Sequence, residues 1–453
     1  MVERSACSSS PAFSKSPSVD PSTWYPIEPS EDRMFKLLYV PDASRGMRRC
    51  FAERNLAWTK REIRFDQFEA IKDLSGFVHK CGENRNGVRV ILTEWLWLLL
   101  MVNDFEDGGA FDVRFMRWEE FRDIVLDPPR YLEGWTTLTQ MDCIIGGFDY
   151  ASGQCDPNNP YGMNAKLLEM YEAHVAQLSC HTQFWPPIRL TRRAADKWTT
   201  ICHLKIIAQD SSLYAPRTRI LKHEEAIPPD AVLKRSHSEC GRHVLLPSAS
   251  PRCRTWEYLS TITNNGTFWM AQEHVPSLEW LGEWRVLIVG GRIITVMHTY
   301  KLHNGEWTGS EVHEFRTLDE VSRIVELETT SLDAVVLRQQ IVNPQSGTAP
   351  VRRQGKREFH EFVMQTWRSL VLRETKDTGA KPSLCVFCRI DVGIRLDTSG
   401  TVSPQYFVNE VERTQNTSLW LYHIVGKTMG TFADTFAMVL KRWLMDIHNP
   451  HVL

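Results

Sequence analysis

The segment CRIDVGIR at 388–395 and the segment QYFVNEVE at 405–412 decide how the carboxyl half of this chain folds. Both are rich in β-branched and aromatic residues, and a short polar turn separates them, so they predict a β-hairpin. Side chains alternate between the two faces of a strand, so polar residues two positions apart share a face. The residues that follow this alternation are Arg389, Asp391, Glu410 and Glu412. The hairpin therefore predicts three carboxylates and a guanidinium side by side.

This acidic cluster predicts a metal site. Burying three carboxylates in otherwise apolar strands is costly unless a cation compensates them. Magnesium fits, because it prefers hard oxygen ligands and takes few of them from protein, while phosphates and water supply the rest. The predicted ligands are Asp391, Glu410 and Glu412. A surface hairpin with solvated acids is the alternative interpretation.

Several lysines upstream could contact phosphate groups. Lys234 ends a short apolar strand and precedes a loop at 236–242 that contains Ser238 and Gly241. Loop amides and hydroxyls of this kind can fold over phosphate oxygens. The spacing is not that of a Walker loop, and taken alone the segment is better explained as a solvated surface loop. Lys197 and Lys301 are uninformative when each is taken alone.

The stretch WMAQEHVP at 269–276 is an apolar strand that runs into a proline-marked link. A link between two domains can offer backbone donors and acceptors to the edge of a purine, and an interdomain hinge without a ligand is the alternative. Glu283 follows at the start of the next strand.

Taken in order, these segments resemble the ATP-grasp superfamily, and most closely its D-alanine–D-alanine ligase-like branch of carboxylate–amine ligases. The resemblance covers about residues 194–420, and its most specific part is Arg-Ile-Asp-Val at 389–392 together with Asn-Glu-Val-Glu at 409–412. It implies an ADP-forming ligase that uses ATP and Mg²⁺, activates a carboxylate as an acyl phosphate and joins it to an amine.

The resemblance also implies roles for single residues. Lys197 and Lys234 would contact the ATP phosphates, and Lys301 would add a further contact. Ser238 would lie in the loop that closes over them. The hinge residues that would meet the adenine are Gln272, Glu273 and Val275.

For the remaining groups, the resemblance implies that Glu283 binds the ribose hydroxyls, with Glu279 as a competitor. Asp391 and Glu410 would hold magnesium. Arg389 would be the catalytic residue that stabilises negative charge on the acyl phosphate or the tetrahedral intermediate.

Two departures from the family pattern affect the expected activity. Glu412 stands where the family usually has Asn, which adds negative charge beside a polyphosphate. The glycine-rich stretch that follows the metal strand in the family is replaced by RTQNTS at 413–418. A site that binds ligands without catalysis is therefore an alternative interpretation. The sequence does not predict the substrate of a peptide ligase.

The expected fold class is α+β/α/β, an ATP-grasp fold with an N-terminal α/β domain followed by two α+β subdomains that clamp ATP. The predicted divisions are a disordered Ser/Pro-rich tail at 1–32, an N-terminal α/β domain at 33–190, a central subdomain at 191–275 and a C-terminal subdomain with the metal site at 276–453. Within them the patterns predict helices over 34–58 and 194–208, a Gly290–Gly291 hairpin and a C-terminal amphipathic helix.

Composition narrows the class of protein further. A chain of 453 residues predicts two or three domains, and a net charge of −2 gives no electrostatic case for nucleic acid or an anionic membrane. The longest apolar run, 95–102, is too short to span a bilayer. The 11 cysteines show no paired metal motif, and Cys385 and Cys388 are interpreted as structural thiols. With no signal peptide at its start, the chain is expected in the cytoplasm.

Three functions are compatible with these patterns. The preferred one is a ligase whose partners are a small-molecule carboxylate and an amine, in a biosynthetic pathway of small-molecule or specialised metabolism. A homodimer is the expected assembly, because dimers are the commonest closed oligomers. The second is a binding or assembly protein on the same fold with little catalysis. The third is a kinase, in which phosphoryl transfer is the final step.

Overall fold

The computed structural model describes residues 33–41, 61–74, 77–104, 110–150, 161–237, 244–263, 267–302, 307–328, 334–342, 349–379, 382–396, 403–413 and 427–448. The predictions for the tail at 1–32, for the turn at 397–400 and for Ser238 lie outside these residues.

The amino-terminal region contains a four-stranded parallel sheet and a small antiparallel sheet. Its strands are β1 (Phe35–Val40), β2 (Arg61–Ile63), β3 (Val78–Asn84), β4 (Gly87–Leu92), β5 (Phe111–Phe115), β6 (Cys143–Gly146) and β7 (Gln183–Trp185). Its helices are α1 (Phe65–Ile71), α2 (Glu94–Asn103), α3 (Trp118–Leu126), α4 (Leu132–Thr139) and α5 (Ala165–Leu178). The parallel sheet has the order β5-β1-β6-β7, and the antiparallel sheet has the order β2-β4-β3.

The helix predicted from residue 34 onward is wrong where the structure describes it, because Phe35–Val40 is strand β1. This strand pairs with β5 on one side and β6 on the other, and only Lys36 within it is exposed. A central strand of a parallel sheet is buried on both faces, so its sequence is a continuous apolar run without alternation. Such a run is indistinguishable by periodicity from a buried helix.

The apolar run at 95–102 lies in α2 and is almost entirely buried. Trp95 packs against Trp185 and, across the molecule, against Phe387 and Phe436, with ring centroids 5.4 to 5.8 Å away. The run is therefore part of the protein core, and no helix of the described residues is long and apolar enough to cross a membrane.

The described residues of the middle region form three α-helices and a four-stranded antiparallel sheet. Its elements are α6 (Ile188–Ala195), α7 (Lys197–Asp210), β8 (Thr218–Ile220), β9 (Ala231–Arg235), β10 (Val244–Leu245), α8 (Trp256–Thr261) and β11 (Trp269–Glu273). The sheet has the order β10-β9-β11-β8 and a small core of its own around Leu233, Leu259 and Trp269.

The single helix predicted over 194–208 is wrong at its start, because two helices meet at Asp196. Asp196 has extended backbone dihedrals, and its carboxylate accepts a hydrogen bond from the amide of Trp198 at 3.0 Å. An aspartate in this position is a strong N-cap, so a new helix begins at Lys197. Lys197 is thereby placed in the first turn of α7, half-buried, rather than in the middle of a longer helix.

The carboxyl-terminal region is a five-stranded antiparallel sheet with helices on both faces. Its elements are α9 (Ser277–Trp280), β12 (Glu283–Val289), β13 (Arg292–Lys301), β14 (Trp307–Glu311), α10 (Leu318–Glu328), α11 (Ala334–Val342), α12 (Ala349–Thr378), β15 (Phe387–Arg395), β16 (Gln405–Glu412) and α13 (Lys427–His448). The sheet order is β14-β13-β12-β15-β16. The hairpin prediction at Gly290 and Gly291 is confirmed, since both have positive φ, 56° and 72°.

The two faces of this sheet have different neighbours. Trp284, Val286 and Ile390 point to one face and join a core with α10, α11 and α12. Leu287, Val289, Met297 and Phe387 point to the other face and join a core with α13 and the amino-terminal region. Farther along the same strands, this second face carries the polar side chains of Arg285, Arg389 and Asp391.

Candidate active site

The polar part of the second face is assembled by the register of three neighbouring strands. Arg285 of β12, Asp391 of β15 and Glu410 of β16 lie opposite one another in one row. In the next row Arg389 lies opposite Glu412. Directly opposite residues of antiparallel strands share a face, so the side-by-side arrangement that the sequence predicts for the hairpin is present in the structure.

A β-bulge adds Asn409 to the same site. The register between β15 and β16 shifts after Asp391, so that Asp391 is paired with Glu410 while Val392 is paired with Val408. Asn409 is the extra residue, and its amide group donates to Glu283 Oε1 at 2.5 Å and accepts from Lys234 Nζ at 3.0 Å. Bulges often redirect a side chain beside an active site, and here one connects β16 with two other elements.

Two lysines reach the carboxylates from different elements. Lys197 at the start of α7 places Nζ 2.5 Å from Glu410 Oε1. Lys234 comes from β9 in the middle region and reaches Asn409. The backbone amide of Lys197 also donates to the carbonyl of Ser236, at 3.0 Å, which joins the start of α7 to the segment just after β9. The site therefore lies where the middle sheet and the carboxyl-terminal sheet meet.

Asp391 is enclosed by guanidinium groups. Arg389 donates to both of its oxygens, from Nε at 2.7 Å and from Nη2 at 2.9 Å. Arg285 approaches Oδ2 at 3.4 Å and also contacts Glu283 at 3.3 Å. The side chains of Arg389 and Asp391 are each 1% exposed, whereas Glu410 is 30% exposed. Glu410 is thus the carboxylate open to a ligand, and Asp391 lies beneath it.

The charges in this site balance without any ligand. Four acids are present, Glu283, Asp391, Glu410 and Glu412, against four bases, Lys197, Lys234, Arg285 and Arg389. Burying this many charges is tolerable only because each sign compensates the other.

The pKa values within the cluster diverge for identifiable reasons. Burial works to raise the pKa of Glu410, but Lys197 and then Arg389 outweigh it and lower the pKa to about 2. Burial, and then the neighbouring charge of Glu410, raise the pKa of Glu412 to about 7. Burial lowers the pKa of Lys234 to about 8. Burial raises the pKa of Glu283, against the influence of Arg285. Strongly perturbed groups that cluster in a cleft are typical of functional sites.

The carboxylates fit a magnesium ion as partial ligands. Among the residues that the structure describes, no three acidic, histidine or cysteine side chains converge on one point that could hold a metal by themselves. Magnesium does not require this, because it usually binds one or two carboxylates together with phosphates and water. Burial and, after it, the charge of Glu410 raise the pKa of Glu412, and a divalent cation beside both acids would favour the ionised form of Glu412.

The predicted hinge residues are placed beside the site, and their side chains have partners inside the protein. Gln272 donates to Thr218 Oγ1 at 3.0 Å, and Glu273 pairs with Arg217 at 3.1 Å. Val275 is buried, and its carbonyl accepts from the amide of Leu278. If this link contacts adenine, its backbone atoms therefore make the contact.

The structure distinguishes Glu283 from Glu279, the two residues considered for binding the ribose. Glu279 is exposed and pairs with His274 at 2.6 Å, whereas Glu283 is buried within the charged cluster. Gly282 sets the position of Glu283, since its φ is 87° and a Cβ atom there would lie 2.2 Å from the carbonyl oxygen of Thr299. Lys301 is exposed at the end of β13, two residues beyond Thr299 on the same strand.

Sequence reasoning gave no role to Arg285 and Asn409. The signal for Arg285 was present, because it lies two positions after Glu283 on one strand and must share its face. Asn409 gave no such signal, since regular alternation would place it on the face opposite to Glu410. Only the bulge brings it into the site.

Comparison with known proteins adds structural neighbours. No protein-family model and no curated protein sequence matches the chain. The crystal structure of the D-cycloserine synthetase DcsG matches with a TM-score of 0.47 at 12% identity, over 90% of this chain and 99% of that one. D-alanine–D-alanine ligase from Bacillus anthracis matches with a TM-score of 0.40 at 10% identity, over 78% and 95% of the two chains.

A third neighbour is the ATP-grasp ligase PsnB complexed with minimal precursor, with a TM-score of 0.39 at 10% identity, over 76% of this chain and 96% of that one. The chain is similar to ATP-grasp ligases. The likeness lies in the arrangement of the backbone.

Proposed function

We propose that this chain is an ATP- and magnesium-dependent ligase that activates a carboxylate as an acyl phosphate and transfers the acyl group to an amine. One observation carries the proposal. Two lysines from separate elements, Lys197 and Lys234, reach the face of the strands that bears Asp391, Glu410 and Glu412. Cations for phosphate oxygens beside carboxylates for a metal are what a polyphosphate with its magnesium requires.

In this proposal, Lys197 and Lys234 bind phosphate oxygens of ATP, and Lys301 adds a contact from the end of β13. The backbone of the link from Gln272 to Val275 binds the adenine, and Glu283 binds the ribose.

Glu410 and Glu412 would hold magnesium from the open side, with Asp391 beneath them. When bound, the metal neutralises charge on the β- and γ-phosphates. The lysines then hold the γ-phosphate so that a carboxylate oxygen of the substrate attacks its phosphorus. A new P–O bond forms, the bond to the bridging oxygen breaks and ADP leaves. Effective catalysis here is mainly positioning and charge stabilisation.

In the second step, an amine attacks the acyl carbon of the mixed anhydride, phosphate leaves with the bonding electron pair, and the amine loses a proton. Arg389 would stabilise negative charge in this step. Its guanidinium is committed to Asp391 in the structure, so this role requires the Arg389–Asp391 pair to loosen when substrates bind.

A binding protein without turnover is the second candidate, and the burial of Arg389 favours it. A guanidinium that is 1% exposed and doubly hydrogen-bonded to Asp391 serves as a counter-ion for that acid without any reaction. On this reading ATP would bind at the lysines, and its phosphates would stay intact.

Isothermal calorimetry with ATP and MgCl₂ is the first test, comparing wild type with Glu410→Gln and Lys234→Ala. Micromolar binding that both changes weaken is the expected result, because one removes a metal ligand and the other a phosphate contact. The matched control is Lys205→Ala, which removes an exposed lysine of α7 outside the cluster. Absence of magnesium-dependent ATP binding by folded wild type would exclude both the ligase and a kinase.

Product analysis then separates the candidates. A ligase releases ADP and free phosphate only when an acid and an amine are both present. A kinase releases ADP without free phosphate, and a binding protein retains ATP unchanged. Screening acids with an amine acceptor for stoichiometric ADP and phosphate therefore distinguishes all three.

A further inference from the structure

The first turn of α7 and the end of β16 are joined by two side-chain contacts. The first is the ion pair between Lys197 and Glu410. The second lies one helical turn later on α7, where Thr200 Oγ1 accepts a hydrogen bond from Arg413 Nη2 at 3.0 Å. Arg413 directly follows the last residue of β16, so both contacts hold the same strand end against the same helix.

Arg413 has a second partner on the long helix. It forms an ion pair with Glu374 of α12, and the side chains of Arg413 and Glu374 are 3% and 1% exposed. Thr200 is also buried. One guanidinium therefore links β16, α7 and α12 in the interior, as a planar fork with several donors can and a single ammonium does less well.

The two contacts differ in what ligand binding does to them. If Lys197 binds phosphate and Glu410 binds magnesium, their mutual ion pair is replaced by contacts to the ligand. The contact between Thr200 and Arg413 involves no group proposed to touch ATP, so it persists.

We infer that Arg413 is a positioning residue, which through Thr200 and Glu374 keeps Lys197 and Glu410 correctly placed relative to each other while their ion pair is exchanged for the ligand. This inference rests on the proposed function. A protein lacking the link would spend part of its time with α7 and β16 misplaced, and apparent affinity falls in proportion to the competent fraction.

The test uses matched variants of Thr200. Thr200→Val keeps the shape and removes the acceptor, while Thr200→Ser keeps the hydroxyl. With adenylyl imidodiphosphate and MgCl₂ as the probe, calorimetry should show roughly tenfold weaker binding for the valine variant and a change within about twofold for the serine variant. Thr366→Val is the control, because Thr366 is buried in α12 and bonds only within that helix, to the carbonyl of Phe362.

Arg413 itself is tested in two variants, because Arg413→Met alone leaves Glu374 buried without a counter-ion and is expected to unfold. Arg413→Met combined with Glu374→Gln removes both charges. Thermal unfolding should show recovered stability for this double variant, while probe binding stays weak. Recovery of both stability and binding would overturn the inference and leave Arg413 a purely structural residue.

Hydrogen exchange of the ligand-free proteins separates failure of this inference from failure of the proposed function. The link predicts faster amide exchange at 197–203 and 407–413 in Thr200→Val than in wild type, with unchanged exchange in the amino-terminal sheet. Unchanged exchange at both segments would refute the link even if wild type binds ATP. Faster exchange in Thr200→Val, together with a wild type that binds no nucleotide, would keep the link and reject the ligase.

Discussion

One face of the carboxyl-terminal sheet carries two surfaces of opposite character. In one part, Leu287, Val289 and Phe387 are sealed beneath α13 and the amino-terminal region. In the other part, Glu283, Arg285 and Asp391 form a charged cluster with the acids of β16. The same strands and the same register build both parts, since Leu287 lies next to Arg389 across the strands.

The comparison shows that the backbone decides which residues share a face and that residue type decides whether the face becomes core or site. Apolar residues on this face favour packing of a helix against it, because each Å² of buried apolar area stabilises the folded protein by about 25 cal/mol. Charged residues on the same face repel such a cover and need counter-charges. The two parts should therefore respond to mutation in different observables.

The largest effect on stability is expected in the apolar part. Phe387→Ala should lower the free energy of unfolding by about 3–5 kcal/mol, because Phe387 is fully buried and contacts Trp95, Trp185 and Phe432. Denaturant unfolding measures it, and nucleotide affinity of the folded variant should stay close to wild type. If the variant loses nucleotide affinity but keeps its stability, the apolar part does not act on stability alone and the distinction between the two parts is wrong.

The largest effect on turnover is expected in the charged part. Glu410→Gln should lower the rate of ATP turnover by roughly 10²–10³, the size found when one electrostatic contact to a transition state is removed. Stopped assays of ADP release measure it, with the exposed Glu133→Gln of α4 as the control. Turnover equal to wild type would show that Glu410 is no ligand of the reacting group.

A pH dependence sharpens the comparison, because only the charged part titrates near neutrality. Burial lowers the pKa of Lys234 to about 8, so the amine is neutral in the ligand-free protein above that pH. Phosphate binding requires the ammonium form, and affinity for ATP with magnesium should fall by up to about tenfold per pH unit above 8. Calorimetry between pH 7 and 9.5 should show this fall in wild type but a flat profile in Lys234→Met.

The smallest effect concerns Glu412, whose pKa rises from 4.5 to about 7 on folding. Between these values the folded chain holds a proton that the unfolded chain has released, so its stability falls as pH rises through this window. Glu412→Gln should thus be more stable than wild type at pH 8, by about 1 kcal/mol, and about equal at pH 5. An equal difference at both pH values would mean that Glu412 does not titrate as described.

Local patterns made much of this fold predictable. The hairpin at Gly290 and Gly291 and the face shared by Arg389 and Asp391 follow from turn chemistry and from alternation within a strand. The signals of these features lie within a few residues of one another. The Asp391–Glu410 row could likewise be expected once the two strands are paired.

Features that depend on residues far apart in the sequence were harder to predict. β1 carries no alternation because it is covered on both faces, and its helical interpretation failed for that reason. The insertion of Asn409 depends on a register shift, and the approach of Lys234 depends on packing between two sheets. No sequence window contains both partners of such contacts.

The internal charge balance of the site has a consequence for what can occupy it. A simple anion would have to separate Lys197 from Glu410 and would leave the carboxylate bare, while a free cation would leave the ammonium bare. A ligand that presents negative and positive charge together replaces both partners in one exchange. On the proposed function, ATP with its magnesium is such a ligand, whereas a free inorganic anion or cation would meet only one member of the ion pair.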